Sequence, residues 1–198
     1  MTRRTRHLLN GAMARLIYSA IASLDGYVAD EQGKFGWAMP DEEIHAFVND
    51  LERPVGTHLY GRRMYETMKV WEGDEFLEGE PEVMHDYAEI WRAADKIVYS
   101  RSLEEVETSR TRLERAFDPE AIRVLKQSEQ RDISIGGAEL AGRALDAGLV
   151  DELQMLLVPV AVGAGKAALT IQERKTLTLL DQRSFANGSI YLRYGIDS

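Results

Sequence analysis

The chain has 198 residues with 33 acidic and 24 basic side chains, a net charge of -9, and no cysteine. The missing cysteine excludes disulfide frameworks, thiolate metal sites and a cysteine nucleophile, and fits a reducing compartment such as the cytoplasm. The acidic balance argues against broad nucleic-acid binding, which depends on Lys and Arg at phosphates, and no apolar run reaches the ~18 residues needed to span a membrane.

The opening dozen, MTRRTRHLLNGA, lacks the apolar stretch of a secretory signal. Residues 1–12 are expected to be a loose tail, an over-extended start or a tag remnant, with one domain over 13–198. RLIYSAIA, from Arg15 to Ala22, reads as a buried strand. The loop SLDGYVADEQGKFGW leads to Pro40 and the acids Asp41, Glu42 and Glu43, a favourable helix start. Ile44, Phe47, Val48 and Leu51 then mark one face of a helix over 41–51.

GTHLY is a second strand ending at Gly61, and RRMYETM begins a helix. After an acidic loop come a helix from about Pro81 to Ala93, the strand KIVYS, the helix FDPEAIRVLKQ, the strand DISI, and the helix AELAGRALDAG, stopped by Gly148. DELQMLLVPVAV, TLTLLDQRSFA and SIYLRYGI read as late strands, the last two joined by the hairpin signal Asn187-Gly188. Strands alternating with helices predict an α/β fold: a central, mostly parallel mixed sheet, helices on both faces, and an antiparallel C-terminal hairpin.

Three strand-to-helix junctions carry groups suited to phosphate. Gly136 and Gly137 stand between DISI and its helix, where small residues admit a ligand to free helix-start amides or make a tight turn. Arg62 and Arg63 open a helix after Gly61, and Ser100, Arg101 and Ser102 stand at the strand end VYSRSL. Asp25, before Gly26, is a candidate polar group or a turn residue, and Trp37 a substrate-stacking or packing residue. The histidines show no spacing that demands metal.

In order, IASLDGYVA, GWAMPDEE, LYGRRMYE, VYSRS, ISIGGAEL, VDEL and PVAVGAGK resemble the dihydrofolate reductase-like superfamily, and within it the reductase domain of the riboflavin deaminase-reductase and its stand-alone relatives. The resemblance runs from Met13 onward and implies a dihydrofolate reductase-like three-layer fold and an NADPH-dependent oxidoreductase of the riboflavin-biosynthesis type. It implies that Gly61, Arg62 and Arg63 open the 2'-phosphate site of NADPH with the Met64 backbone at the pyrophosphate, and that Ser100 and Arg101 flank the adenine ribose and 2'-phosphate. Gly136, Gly137, Ala138, Glu139 and Leu140 would wrap the pyrophosphate, and Ala20 and Ile21 would meet the nicotinamide. Asp25, Glu42 and Glu43 are the candidate catalytic acids, with Trp37 and Phe47 toward the substrate. A homodimer through the late strands and PVAVGAGK is expected.

The chain departs from that pattern at three places, one being the A-D-[DN]-P loop that the riboflavin reductases use for the ribose phosphate and this chain lacks. Ser19 stands where the riboflavin reductases carry a lysine, and LQMLLVPV is apolar where dihydrofolate reductases carry a pterin-binding threonine. Folate is therefore disfavoured, and the candidate substrates are a ribosylated aminopyrimidine, a pteridine, or another small imine or carbonyl compound. The alternative is a non-catalytic nucleotide-binding or interaction protein on the same scaffold.

Overall fold

The computed structural model describes residues 13–197, so the expected tail at 1–12 lies outside the described residues. The chain runs β1 (Leu16–Ser23), β2 (Tyr27–Asp30), α1 (Glu42–Glu52), β3 (Val55–Gly61), α2 (Arg62–Met68), α3 (Glu82–Ala93), β4 (Asp95–Tyr99) and β5 (Thr111–Glu114). It continues through α4 (Pro119–Ser128), β6 (Asp132–Gly136), α5 (Ala138–Asp146), β7 (Glu152–Val158), β8 (Gly165–Ala167), β9 (Leu177–Ser184) and β10 (Ile190–Ile196). The main sheet has the order β5-β4-β3-β6-β1-β7-β10-β9. The pairs from β5 to β7 are parallel, and the hairpin of β9 and β10 adds antiparallel strands beside β7. No described helix is long and apolar enough to cross a membrane.

Strand periodicity divides the core between two faces. Leu16 and Tyr18 on β1, Leu59 on β3, Ile133 and Ile135 on β6, and Leu153 on β7 are buried and pack on α4 and α5 through Ile122, Leu140, Ala141, Ala144 and Leu145. Full burial of one such aliphatic chain stabilises by about 1.5–3 kcal/mol, so this layer is the main apolar anchor of the sheet. The alternate residues face α1, α2 and α3. There Tyr60 and Val98 pack against Tyr65, Tyr87 and Trp91, and Leu156 and Tyr191 pack on Ile44.

Two pairings were not read from the sequence. β5 is a four-residue edge strand whose residues alternate between exposed and half-buried, too short to stand out from a charged loop. β2 and β8 form a separate antiparallel pair, made by segments distant in the chain. A pairing of that kind leaves no local pattern.

α5 approaches the 170 loop closely at Gly142. A Cβ there would fall on the Thr170 hydroxyl and within 2.8 Å of its carbonyl oxygen. Thr170 also donates its hydroxyl to the Ala138 carbonyl at 3.0 Å, so it has little room to yield. Gly142→Ala is therefore expected to destabilise the fold by about 1–3 kcal/mol through overpacking, despite the better helix propensity of alanine. Urea unfolding checks this, and an increased midpoint would contradict the close approach.

Candidate active site

The parallel register brings the three phosphate-suited junctions together. Gly61 lies beside Tyr99, and Tyr60 beside Gly136, so the carboxyl ends of β4, β3 and β6 are neighbours. Ligands of open α/β sheets bind beyond these ends. Gly61 to Met64, Ser100 with Arg101, and Gly136 to Leu140 thus share one edge of the sheet.

The glycines are required here by geometry. Gly137 has φ 93°, in the region that side chains rarely adopt, and a Cβ on Gly136 would come within 3.1 Å of the Tyr60 ring and 3.2 Å of Met64 Cγ. Asp41 caps α1 and Asp118 caps α4, but no side chain caps α5, whose N-cap is Gly137. Its first-turn N–H groups are free to serve an anion.

The cations stand close by. The Arg62 guanidinium donates to Ser102 Oγ at 3.3 Å and lies 3.6 Å from Glu66, while Arg63 and Arg101 are exposed. Ser100 Oγ accepts from Leu103 N at 2.9 Å and so shapes the turn beside them. The Glu139 carboxylate is turned to Lys166 at 2.8 Å, which lowers its pKa, leaving the backbone of that residue as its contribution to the helix start.

A cleft opens where β6 ends. β1 pairs with β6 only through Tyr18 but with β7 as far as Ser23. The β6 side of Ser19 to Ala22 is therefore without a strand partner. The cleft of about 210 Å³ beside this edge is lined by Ala20, Ile21, Tyr60, Met64 and Gly136, and by Phe47, Val48 and Leu51 of α1. Ala20, Ile21 and Phe47 are thus brought together with the glycine junction.

Other expected site residues stand outside this cleft. Asp25 accepts from Ser23 Oγ at 2.6 Å and from Val162 N and Gly163 N at 3.0 and 2.7 Å. Those bonds hold its pKa down at about 2, the serine contributing most, and fasten the β1–β2 turn to the 160 loop. Glu42 is exposed in the first turn of α1, and Glu43 pairs with Arg183 at 3.1 Å. Trp37 sits in a 3-10 turn over Gly36–Ala38, half-buried, with its Nε1 buried and unbonded.

The cleft contains instead a carboxyl that was not anticipated. Glu52, the last residue of α1, lines it together with His58. Glu52 Oε2 lies 3.8 Å from His58 Nδ1, and both Glu52 Oε2 and His58 Nε2 are buried with no hydrogen-bond partner. Desolvation pushes the Glu52 pKa up to about 7. Burial, with help from the charges of Lys96 and Arg131, pushes that of His58 down to about 3. A signal was present in the sequence: Glu52 continues the i, i+4 row of Ile44 and Val48.

The raised value fixes the sign of a pH effect. Folded Glu52 holds its proton above the ordinary 4.5, so stability falls as pH rises from 4.5 through about 7. Relative to Glu52→Gln, which keeps His58 and cancels its opposite contribution, the wild type is expected to lose on the order of 3 kcal/mol across that range. Parallel denaturation profiles against pH check this; a constant difference would show that Glu52 titrates normally.

The model of the RibD C-terminal domain family matches residues 14–191. A relative from Bacillus subtilis strain 168, the uncharacterized protein YyaP, is 26% identical over 183 residues, covering 91% of this chain and 94% of its own. In fold, the chain is similar to a Shewanella sp. PV-4 protein assigned to riboflavin biosynthesis, with TM-score 0.72, 19% identity, and coverage of 93% and 99% of the two chains. It is also similar to a dihydrofolate reductase from Enterococcus faecalis solved with NADP(H), with TM-score 0.58, 14% identity, and coverage of 93% and 97%. The extent of the family match, together with the mixed sheet and its cleft, shows that this chain belongs to the RibD C-terminal domain family.

Proposed function

We propose that this chain is an NADPH-dependent reductase of a small carbonyl or imine compound. The observation that carries the reading is the convergence of three phosphate-suited strand ends on the lip of a cleft bordered by the unpaired backbone of β1. Family membership supports an oxidoreductase, and the resemblance to riboflavin reductases supports an aminopyrimidine-like substrate in particular.

The residues present fit the cofactor. The first turn of α5 offers uncapped N–H groups to a pyrophosphate, and the missing Cβ of Gly137 lets it approach. Arg62 and Arg63, with Ser100 and Arg101, supply charge and hydroxyl groups for a 2'-phosphate. The unpaired main chain at Ala20 and Ile21 supplies donors and acceptors for the nicotinamide carboxamide.

Bound NADPH would supply a hydride. The protein's part is to position the acceptor and exclude water. Phe47, Val48 and Leu51 form an apolar wall for that purpose. Asp25 acts by holding the turn after β1 to the 160 loop, so its removal loosens one border of the site. Trp37, on the segment before α1, is the candidate for stacking on substrate. Edge strand β9, with Leu179 and Leu180 exposed, is the surface for the homodimer that the resemblance implies.

Titration with NADPH and NADH, followed by intrinsic tryptophan fluorescence, tests the cofactor. Trp91 is a suitable reporter because its Nε1 donates at 3.2 Å to Tyr60, a cleft residue. NADPH is expected to bind more tightly than NADH. Arg62→Ala or Arg63→Ala should weaken NADPH about tenfold or more while leaving NADH nearly unchanged, as loss of a charge-assisted phosphate contact requires. Equal weakening of both would remove the 2'-phosphate assignment. NADPH binding without turnover across a panel of carbonyl and imine compounds would assign the scaffold to nucleotide binding alone.

A further inference from the structure

The sheet face beneath α1 is unusual in what it exposes to the cleft. Ser19, His58, Ser134 and Gln154 line it from four neighbouring strands, and Glu52 joins them from the end of α1. Glu52 is 9% exposed and His58 2%, and each has a buried polar atom with no partner. Leaving such an atom unsatisfied costs about 1–3 kcal/mol. A fold could avoid that cost with apolar residues, as Leu16, Leu59, Ile133, Ile135 and Leu153 do on the opposite face.

Register gives these groups a position. His58 lies beside Ser134, Ser134 beside Ile17, and Tyr60 beside Gly136. His58 is therefore level with Ile17, four residues and about 13 Å from Ile21 along the strand direction. His58 and Ser134 lie midway along β3 and β6, two residues before Tyr60 and Gly136 at the phosphate-suited edge, and farther than these from Ile21. Between the two ends the lining is aromatic and aliphatic, including Phe47, Tyr60, Tyr87 and Tyr191.

We propose that Glu52 and His58 are specificity-determining residues that hydrogen-bond an uncharged hydroxyl at the far end of the substrate. The orientation, with the reducible carbon toward Ile21, rests on the reductase reading. The occupant is uncharged for a structural reason. An anion would meet the Glu52 carboxyl in a desolvated setting, and a cation would be buried near Lys96 and Arg131. Those two cations are themselves directed to main-chain carbonyls, Lys96 to Trp91 O and Arg131 to Arg53 O. The flat stack of His58 on Tyr60, 8° between planes and 5.5 Å between centroids, fixes the imidazole whose buried Nε2 has no protein partner.

The test uses three aryl ketones of one shape: benzylacetone, para-hydroxybenzylacetone and para-carboxybenzylacetone. Binding to the full chain is measured by ligand-observed NMR. The hydroxylated ketone is expected to bind about tenfold more tightly than benzylacetone, and the carboxylated one more weakly than either. Glu52→Leu and His58→Leu should abolish the hydroxyl preference while melting no lower than the wild type, since each removes an unsatisfied buried atom. Glu52→Gln, which retains a neutral hydrogen-bonding group, should keep the preference and serves if a leucine variant fails to fold. Equal binding of the two neutral ketones, no binding of any, or a preference that survives Glu52→Leu overturns the inference. NADPH titration of the same wild-type sample separates the two readings: absent cofactor binding defeats the reductase assignment and leaves the ketone result standing.

Discussion

The site depends on the backbone turn at Gly136 and Gly137. At that point β6 must stop pairing with β1 and the chain must enter α5 through Gly137 at φ 93°, just after Gly136, where a Cβ would crowd the Tyr60 ring at 3.1 Å. Because β6 leaves the sheet there, β1 runs on to Ser23 with one edge unpaired. The same turn leaves the α5 start without a capping side chain. An anion site and a backbone edge thus arise together from a single departure of one strand, and the cleft lies between them.

The two faces of the sheet carry different burdens. The face against α4 and α5 is mainly apolar from Leu16 to Leu153, and the Tyr18 hydroxyl within it donates to Ala168 O at 2.6 Å. Its burial lets the opposite face hold serines, a glutamine, a histidine and a carboxyl without loss of the fold. Period-two alternation makes this division possible within the same strands: Leu59 serves one face while His58 and Tyr60 serve the other.

Much of this was legible because it is local. The apolar run of β1, the glycine pair before α5, the stop at Gly148 and the Asn187-Gly188 hairpin each sit within a few residues of their cause. The grouping of Arg62, Ser100 and Gly136 at one edge followed from parallel strands. Glu52 was not legible in the same way. A charged residue at the end of an amphipathic helix is ordinarily solvated, and its burial depends on β3 and α3, which approach from later in the chain. His58 has no spacing that marks it as functional, although its alternation with Leu59 places it opposite the apolar face. The short strands β2, β5 and β8 depend on partners that no local pattern specifies.

The acids at the start of α1 have a different task from the one at its end. Asp41 accepts from Ile44 N at 3.0 Å and from Asn187 Nδ2 at 2.8 Å, and Glu43 pairs with Arg183, so this end is tied to the β9–β10 hairpin. Near the other end, Asn49 donates to Val83 O at 2.8 Å and to Asp86 at 2.7 Å, and Arg53 donates to both oxygens of the same carboxylate. The surface pairs contribute little stability singly, but they act at opposite ends of one rigid helix. Sliding α1 along the sheet would break both sets. The wall formed by Phe47, Val48 and Leu51 is thereby held at a fixed height above β1, and Glu52 is kept facing His58 although no hydrogen bond joins them. A group with an unsatisfied atom can keep a defined position only when its neighbours are fixed by other contacts, and α1 supplies that condition.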